Sequence, residues 1–255
     1  MDKKVVFRGN NIHKIYSNKF NQQSLALKNI NVTIYANDFT VIMGPAGAGK
    51  SSLLYALSGL DPISSGSIHY GEDDLTLFSE QEKNNFRKKE ISFIPQKIQL
   101  LPDLTVLENV ALPSYLTEKN KKTTTQRAKE LLAKVGLVDQ LNCRPGEISR
   151  GQQQLVVLAR SFIQQPNVLF ADEPTGDLNT SARQEFLTYL SQCHHQTKQT
   201  IILATNDLNV ALRGNRILYL EDGLLTYDAN LGHFQAQNSA QRKQQLLAFL
   251  TEWGW

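Results

Sequence analysis

A chain of 255 residues, 41% of them hydrophobic, is long and apolar enough to bury one large α/β core or two small lobes, which excludes disorder along its whole length. Its formal net charge of +3 is mildly basic and dispersed, and no Lys/Arg block with interleaved aromatics marks a nucleic-acid face. No apolar run reaches the roughly 18 residues that span a bilayer, and MDKKVVFRGN turns polar before a signal core can form, so a cytosolic chain is expected.

In chain order, the apolar patterns of VVFRGNNIHKIY, LALKNINVTIY and FTVIMG predict three strands, the last ending in a glycine-rich turn. A helix carrying Leu53, Leu54 and Leu57 should begin near Gly49, and SNKFNQQS, after Tyr16, reads as a surface loop. In TVLENVALP, Thr105 and Glu108 form a capping box and Pro113 is expected to stop a short helix. TQRAKELLAKVG puts Ala128, Leu131, Leu132 and Val135 on one helical face and ends at Gly136. SRGQQQLVVLARSFIQQ repeats Leu155, Leu158, Ala159 and Phe162 at helical spacing, so a mostly helical insert, roughly 97–165, should interrupt an α/β domain. Strands resume at NVLFADE, QTIILAT and RILYLEDGLLTY, the last with a turn at Asp222-Gly223. The domain is expected to end near 227. Beyond it, 228–255 should be a helical extension with Leu246, Phe249, Leu250 and Trp253 on one side, packed on its own domain or offered to a partner or membrane surface.

The strongest chemical signal is GPAGAGKSS: Gly44, Pro45, Ala46, Gly47, Ala48, Gly49, Lys50, Ser51 and Ser52 fit G-x-x-x-x-G-K-[ST] between a strand and a helix. Backbone N–H groups of such a loop turn inward around phosphates, and the helix N-terminus adds partial positive charge. Lys50 is expected on the β- and γ-phosphates and the Ser51 hydroxyl on Mg²⁺. The strand run VLFADEP then ends in two acids, whose side chains diverge because neighbours on a strand alternate. Asp172 would hold the Mg²⁺ shell and Glu173 would deprotonate the attacking water, which together suit an ATPase or GTPase. EISRGQQQ makes Ser149 an N-cap. Residues alone leave open whether that helix start binds a second anion or is simply capped. Cys143 and Cys193 lack the CxxC spacing of a metal or redox site and read as reduced thiols, while adjacent His194 and His195 cannot form an i, i+4 metal pair. NNFRKKE reads as a solvated helical face.

The order of phosphate loop, FIPQ, SRGQQQ, ADEPTGDLN and a strand ending in TND resembles the ATP-binding cassette (ABC) ATPases, from about Tyr16 to Gly223. SGLDPISSG, LLPDLTVLENVALP and ADEPTG look most like the branch serving lipoprotein release, macrolide efflux and antimicrobial-peptide resistance. The resemblance implies a P-loop NTPase with a RecA-like core, an antiparallel β subdomain and a helical subdomain. It further implies that Tyr16 stacks on adenine, that Gln96 touches Mg²⁺ or the attacking water, and that ATP with Mg²⁺ is the ligand. Two cassettes, alike or different, would sandwich the nucleotides, with Ser149, Arg150, Gly151 and Gln152 facing the γ-phosphate of the opposite cassette. A separate membrane permease would be the partner, with the chain on the cytoplasmic membrane face and nucleic acid not expected.

Three positions depart from the family pattern. The signature reads Ile148, Ser149, Arg150, Gly151, Gln152, with Arg150 in place of the usual glycine and expected at the rim. After the acid pair, Asp177 and Asn179 have exchanged chemical types. Asn206 stands where the family places its switch histidine; its amide donates a hydrogen bond but cannot become cationic or shuttle a proton. Slow turnover is therefore expected, with two alternatives: a regulatory cassette impaired in hydrolysis, or a soluble ABC protein outside transport. The second is disfavoured because neither a second cassette nor a long coiled coil is present in the sequence.

Overall fold

The computed structural model describes residues 3–17, 22–115 and 120–252; Trp253, the Phe249 side chain and most of the loop expected after Tyr16 lie outside the described residues. In chain order, β1 (Val5–Ser17), β2 (Gln23–Tyr35) and β3 (Phe39–Met43) lead into α1 (Lys50–Leu57), β4 (Ser65–Tyr70), β5 (Asp73–Asp74), α2 (Glu80–Glu90) and β6 (Ile91–Ile94). Then come α3 (Val106–Tyr115), α4 (Lys121–Lys134), α5 (Arg150–Phe162), β7 (Val168–Asp172) and α6 (Thr180–Thr197). The chain continues with β8 (Thr200–Thr205), α7 (Leu208–Ala211), β9 (Arg216–Glu221), β10 (Leu224–Asn230) and α8 (Ser239–Glu252). It divides into two compact units, Met1–Lys83 with Thr200–Trp255, and Asn84–Gln199.

In the first unit, β2, β1, β4 and β5 form an antiparallel sheet in that order. Separately, β3 runs parallel to β8 on one side and to β9 on the other. Every residue of β3 and β8 is buried, the continuous apolar pattern that parallel strands covered on both faces require. Helix α1 packs against β8, and its Leu53, Leu54 and Leu57 are fully buried, each contributing about 1.5–3 kcal/mol. Strand β10 returns beside β9 through Asp222 and Gly223, whose φ values of 47° and 77° supply the left-handed pair of a tight hairpin. Its register continues to Asn230 opposite Arg216, so the boundary expected near 227 falls inside a strand. Polar alternation is weak there and hides the strand's end. Helix α8 follows, with Leu246 and Leu250 buried.

In the second unit, β6 and β7 pair in parallel, from Ile91 opposite Val168 to Ile94 opposite Ala171. Helices α3, α4 and α5 pack on one another, and α5 also packs on α6. The Thr105–Glu108 capping box forms, with Glu108 Oε2 accepting from Thr105 N and Oγ1, both at 2.8 Å. Pro113 does not stop α3, which continues to Tyr115. Proline's missing N–H removes the bond to the Asn109 carbonyl, yet the helix runs two residues further, and Gln164 Nε2 donates to the Pro113 carbonyl at 3.2 Å. Helix α4 begins earlier than its apolar stripe because Asn120 Oδ1 accepts from the Lys122 and Thr123 amides. Asn109, fully buried, accepts from Leu101 N at 2.8 Å and donates to the Leu101 and Leu104 carbonyls, which ties the stretch after Gln96 to α3.

Candidate functional site

The first unit carries the phosphate loop. Strand β3 delivers the chain to Gly44, where a Cβ would sit 2.0 Å from the Leu220 carbonyl oxygen, so no other residue fits. The loop closes on the hairpin through Gly223 N donating to Ala48 O at 3.0 Å. Helix α1 then starts from Gly49 with no side-chain cap and no acid in its first turn. The helix dipole therefore favours negative charge at that end. Lys50 is buried, and its Nζ donates to the carbonyls of Gly44 and Pro45 at 3.0 and 2.8 Å, which holds the ammonium against the loop.

Strand register fixes what stands beside this loop. Met43 pairs with Thr205 across β3 and β8, so Gly44 and Asn206 leave adjacent parallel strands at the same level. Asn206 is exposed; after it, Asp207 N donates to Thr205 Oγ1 at 3.0 Å and Asp207 Oδ1 accepts from Asn209 N at 2.7 Å, turning the chain into α7. Tyr16, near the end of β1, donates from its hydroxyl to Asp61 Oδ2 at 2.7 Å, and its oxygen can accept from Ser52 Oγ at 3.3 Å. Asp61 Oδ1 also accepts from Lys14 Nζ at 2.6 Å, and that ammonium lies 4.7 Å from the centre of the Tyr16 ring. Burial raises the Tyr16 phenol above its usual pKa, Ser52 opposes this, and the Asp61 carboxylate adds to it, so the hydroxyl remains a donor. Neither Lys14 nor Asp61 emerges from sequence reading, although Asp61 lies just past α1 in the stretch SGLDPISSG, where only the structure turns it toward Tyr16.

The second unit carries the acids. Ile94 and Ala171 are register partners in β6 and β7, so Asp172 and Gln96 follow the same end of this strand pair. Asp172 is 2% exposed, whereas Glu173 is only part-buried and adopts φ of 41°. A non-glycine residue there costs about 1–3 kcal/mol, strain typical of functional positions. Gly176 N donates to the Glu173 carbonyl at 3.1 Å and closes the turn. Gln96 is exposed.

Ser149 caps α5: its Oγ accepts from Gln152 N at 3.2 Å, and Gln152 Oε1 accepts from Ser149 N at 2.9 Å. A Cβ on Gly151 would meet the Ala182 Cβ at 2.8 Å, so the close approach of α6 already demands glycine. The departures at 150, 177 and 179 are explained locally. Arg150 pairs with Asp177 at 2.7 Å, both largely exposed, and Asn179 Oδ1 caps α6 by accepting from Ala182 N at 2.9 Å.

A glycine loop between a buried strand and a helix, with Lys50 at its close and an acid pair ending another buried strand, defines a P-loop nucleoside triphosphatase. The sequence model of the family described as "ABC transporter" matches residues 27–176, and the chain belongs to that family. It is 37% identical over 219 residues to the bacitracin export ATP-binding protein BceA of Halalkalibacterium halodurans, covering 86% of each chain. It is 36% identical over 200 residues to the lipoprotein-releasing system ATP-binding protein LolD of Syntrophotalea carbinolica, covering 78% of this chain and 88% of that one. A dimeric post-hydrolysis structure of the ATP-binding cassette MJ0796 with ADP and Pi superposes with a TM-score of 0.81 at 32% identity, covering 89% of this chain and all of that one. The chain is an ATPase, the ATP-binding component of an ABC transporter. No helix among the described residues is long and apolar enough to cross a membrane.

Proposed function

We propose that this cassette binds Mg-ATP firmly and turns it over slowly, because an asparagine occupies the strand end beside its phosphate loop. The register of Met43 with Thr205, which brings Asn206 level with Gly44, carries this reading. Lys50 and the amides of the loop and of α1 bind the β- and γ-phosphates, and Tyr16 offers its ring to adenine. Ser51, Asp172 and Gln96 each carry a hard oxygen donor of the kind Mg²⁺ takes, and the ion would neutralise charge on the phosphate oxygens. Glu173 orients and deprotonates the attacking water. Asn206 donates one neutral hydrogen bond toward the γ-phosphate where a histidine would add charge, so turnover falls by about 10²–10³-fold, the range for one preorganised donor. Ser149 and Gly151 face the nucleotide of a second cassette across a dimer.

The chain sits at the cytoplasmic face of a membrane, where its permease supplies the substrate pathway. Relatives named for bacitracin export and lipoprotein release favour an amphiphilic peptide or lipid-linked cargo. Steady-state turnover with Mg²⁺ tests the reading, after equal ATP binding is established for every variant. Glu173→Gln should abolish turnover, and Asn206→His should raise it by about 10²–10³-fold. Wild-type turnover that is already fast and indifferent to Asn206→His would refute the slow-cassette reading.

A further inference from the structure

Among the described residues, the largest fully buried side chain is a cation, Arg242, and it comes from the C-terminal helix. Its guanidinium donates to four backbone carbonyls: Leu212 from Nε at 3.2 Å, Leu231 and Gly232 from Nη1 at 2.7 and 3.0 Å, and Gly214 from Nη2. Leu212 and Gly214 closely follow α7, where helical carbonyls lack intrahelical partners. Leu231 and Gly232 immediately follow β10. Arg242 thus joins the chain leaving β10 to the chain leaving α7. Phe234 reinforces the junction, its ring centre 4.5 Å from Arg213 Cζ and 5.7 Å from Arg242 Cζ.

Helix α7 has only four residues, Leu208–Ala211, packed against β3 and β8. Its far end is Asp207, and the residue before that is Asn206. Ala211 N donates to the Asp207 carbonyl and Leu212 N to the Leu208 carbonyl, both at 3.0 Å, so this single turn is tied from end to end and moves as one piece. Fixing the carbonyls after α7 therefore fixes the direction in which Asn206 leaves β8.

We propose that Arg242 is a positioning residue for the Asn206 loop, so that α8 sets hydrolysis without touching nucleotide. This rests on the reading of Asn206 given above. Lysine cannot replace this group: a single ammonium has three donors on one point, whereas the planar fork reaches carbonyls on two segments at once.

The test is made in the full chain with Arg242→Lys and Arg242→Met, each alone and combined with Asn206→His. Arg242→Met should lower kcat about tenfold, within the roughly 10²-fold that displacing a group by 1 Å costs, while ATP affinity stays within about twofold. Arg242→Lys should fall between. The gain from Asn206→His should shrink in the Arg242→Met background, since residues acting as a unit are non-additive. Amide hydrogen exchange should quicken at Asn206–Val210 and stay unchanged at Gly44–Leu57. An undiminished histidine gain with unchanged exchange at Asn206–Val210 overturns the proposal. If Asn206→His gives no gain with Arg242 intact, the reading of Asn206 fails instead, and the exchange of Asn206–Val210 alone decides whether Arg242 positions that loop. Should Arg242→Met not fold, Arg242→Lys carries the same comparisons.

Discussion

Asp61 is the residue whose removal best tests how the Tyr16 cluster, the proposed adenine platform, is built. Its carboxylate serves Lys14 Nζ at 2.6 Å and the Tyr16 hydroxyl at 2.7 Å, and Lys14 is only 7% exposed. A hydrogen bond to a charged group is worth about 1.5–3 kcal/mol, and without Asp61 the Lys14 ammonium keeps the Pro62 carbonyl, at 2.6 Å, and the Tyr16 ring. Asp61→Ala should therefore destabilise the protein by about 1.5–3 kcal/mol. For a chain of this size that lowers Tm by about 3–12 °C. Loosening the Tyr16 ring also forfeits part of a base-stacking contact worth about 1–3 kcal/mol, so ATP should bind about 3–10-fold more weakly. Thermal melting and titration with a fluorescent ATP analogue measure the two effects, with Tyr16→Phe as the comparator that keeps the ring and loses the hydroxyl. An Asp61→Ala protein with unchanged Tm and unchanged affinity would show that the Lys14–Asp61–Tyr16 cluster is incidental.

Gly44→Ala should abolish ATP binding and cost several kcal/mol, because its new Cβ meets the Leu220 carbonyl oxygen. By contrast, Gly47→Ala has open space around it and costs only the roughly 1–2 kcal/mol of a left-handed φ; binding assays and melting curves on the pair separate them. The Arg150–Asp177 pair is exposed at both ends, so Arg150→Ala should change stability by no more than about 1 kcal/mol, and by less in high salt, as denaturant titration at two salt concentrations would read. Burial pushes the Cys193 thiol up, partly offset by Lys134, so at pH 8 a thiol reagent should label half-buried Cys143 well before Cys193, with both reacting after denaturation.

Much of the site was legible in the sequence because its parts are local. The phosphate loop is nine consecutive residues with fixed spacing, and Ser149 reads as a cap at a helix start. Strands β1, β2, β3, β7 and β8 were equally plain, since their apolar runs have the length and edges of strands. Short or polar elements escaped: β5 is Asp73–Asp74, β4 is Ser65–Tyr70, and neither buries enough side chain to leave a pattern. Helix α3 runs past Pro113 to Tyr115, where Gln164, distant in sequence, donates to the Pro113 carbonyl.

By itself the sequence determined which residues can bind phosphate, which can act as acid and base, and that the switch position lacks an imidazole, because these follow from side-chain chemistry and from spacing within one turn. Only the tertiary structure decided that Asn206 stands level with Gly44, that Asp61 holds Tyr16, and that Arg242 from the last helix closes the end of α7. Each of these depends on strand register or on contacts between segments far apart in the chain, and pairing of that kind is settled by packing of the whole unit rather than by any local preference.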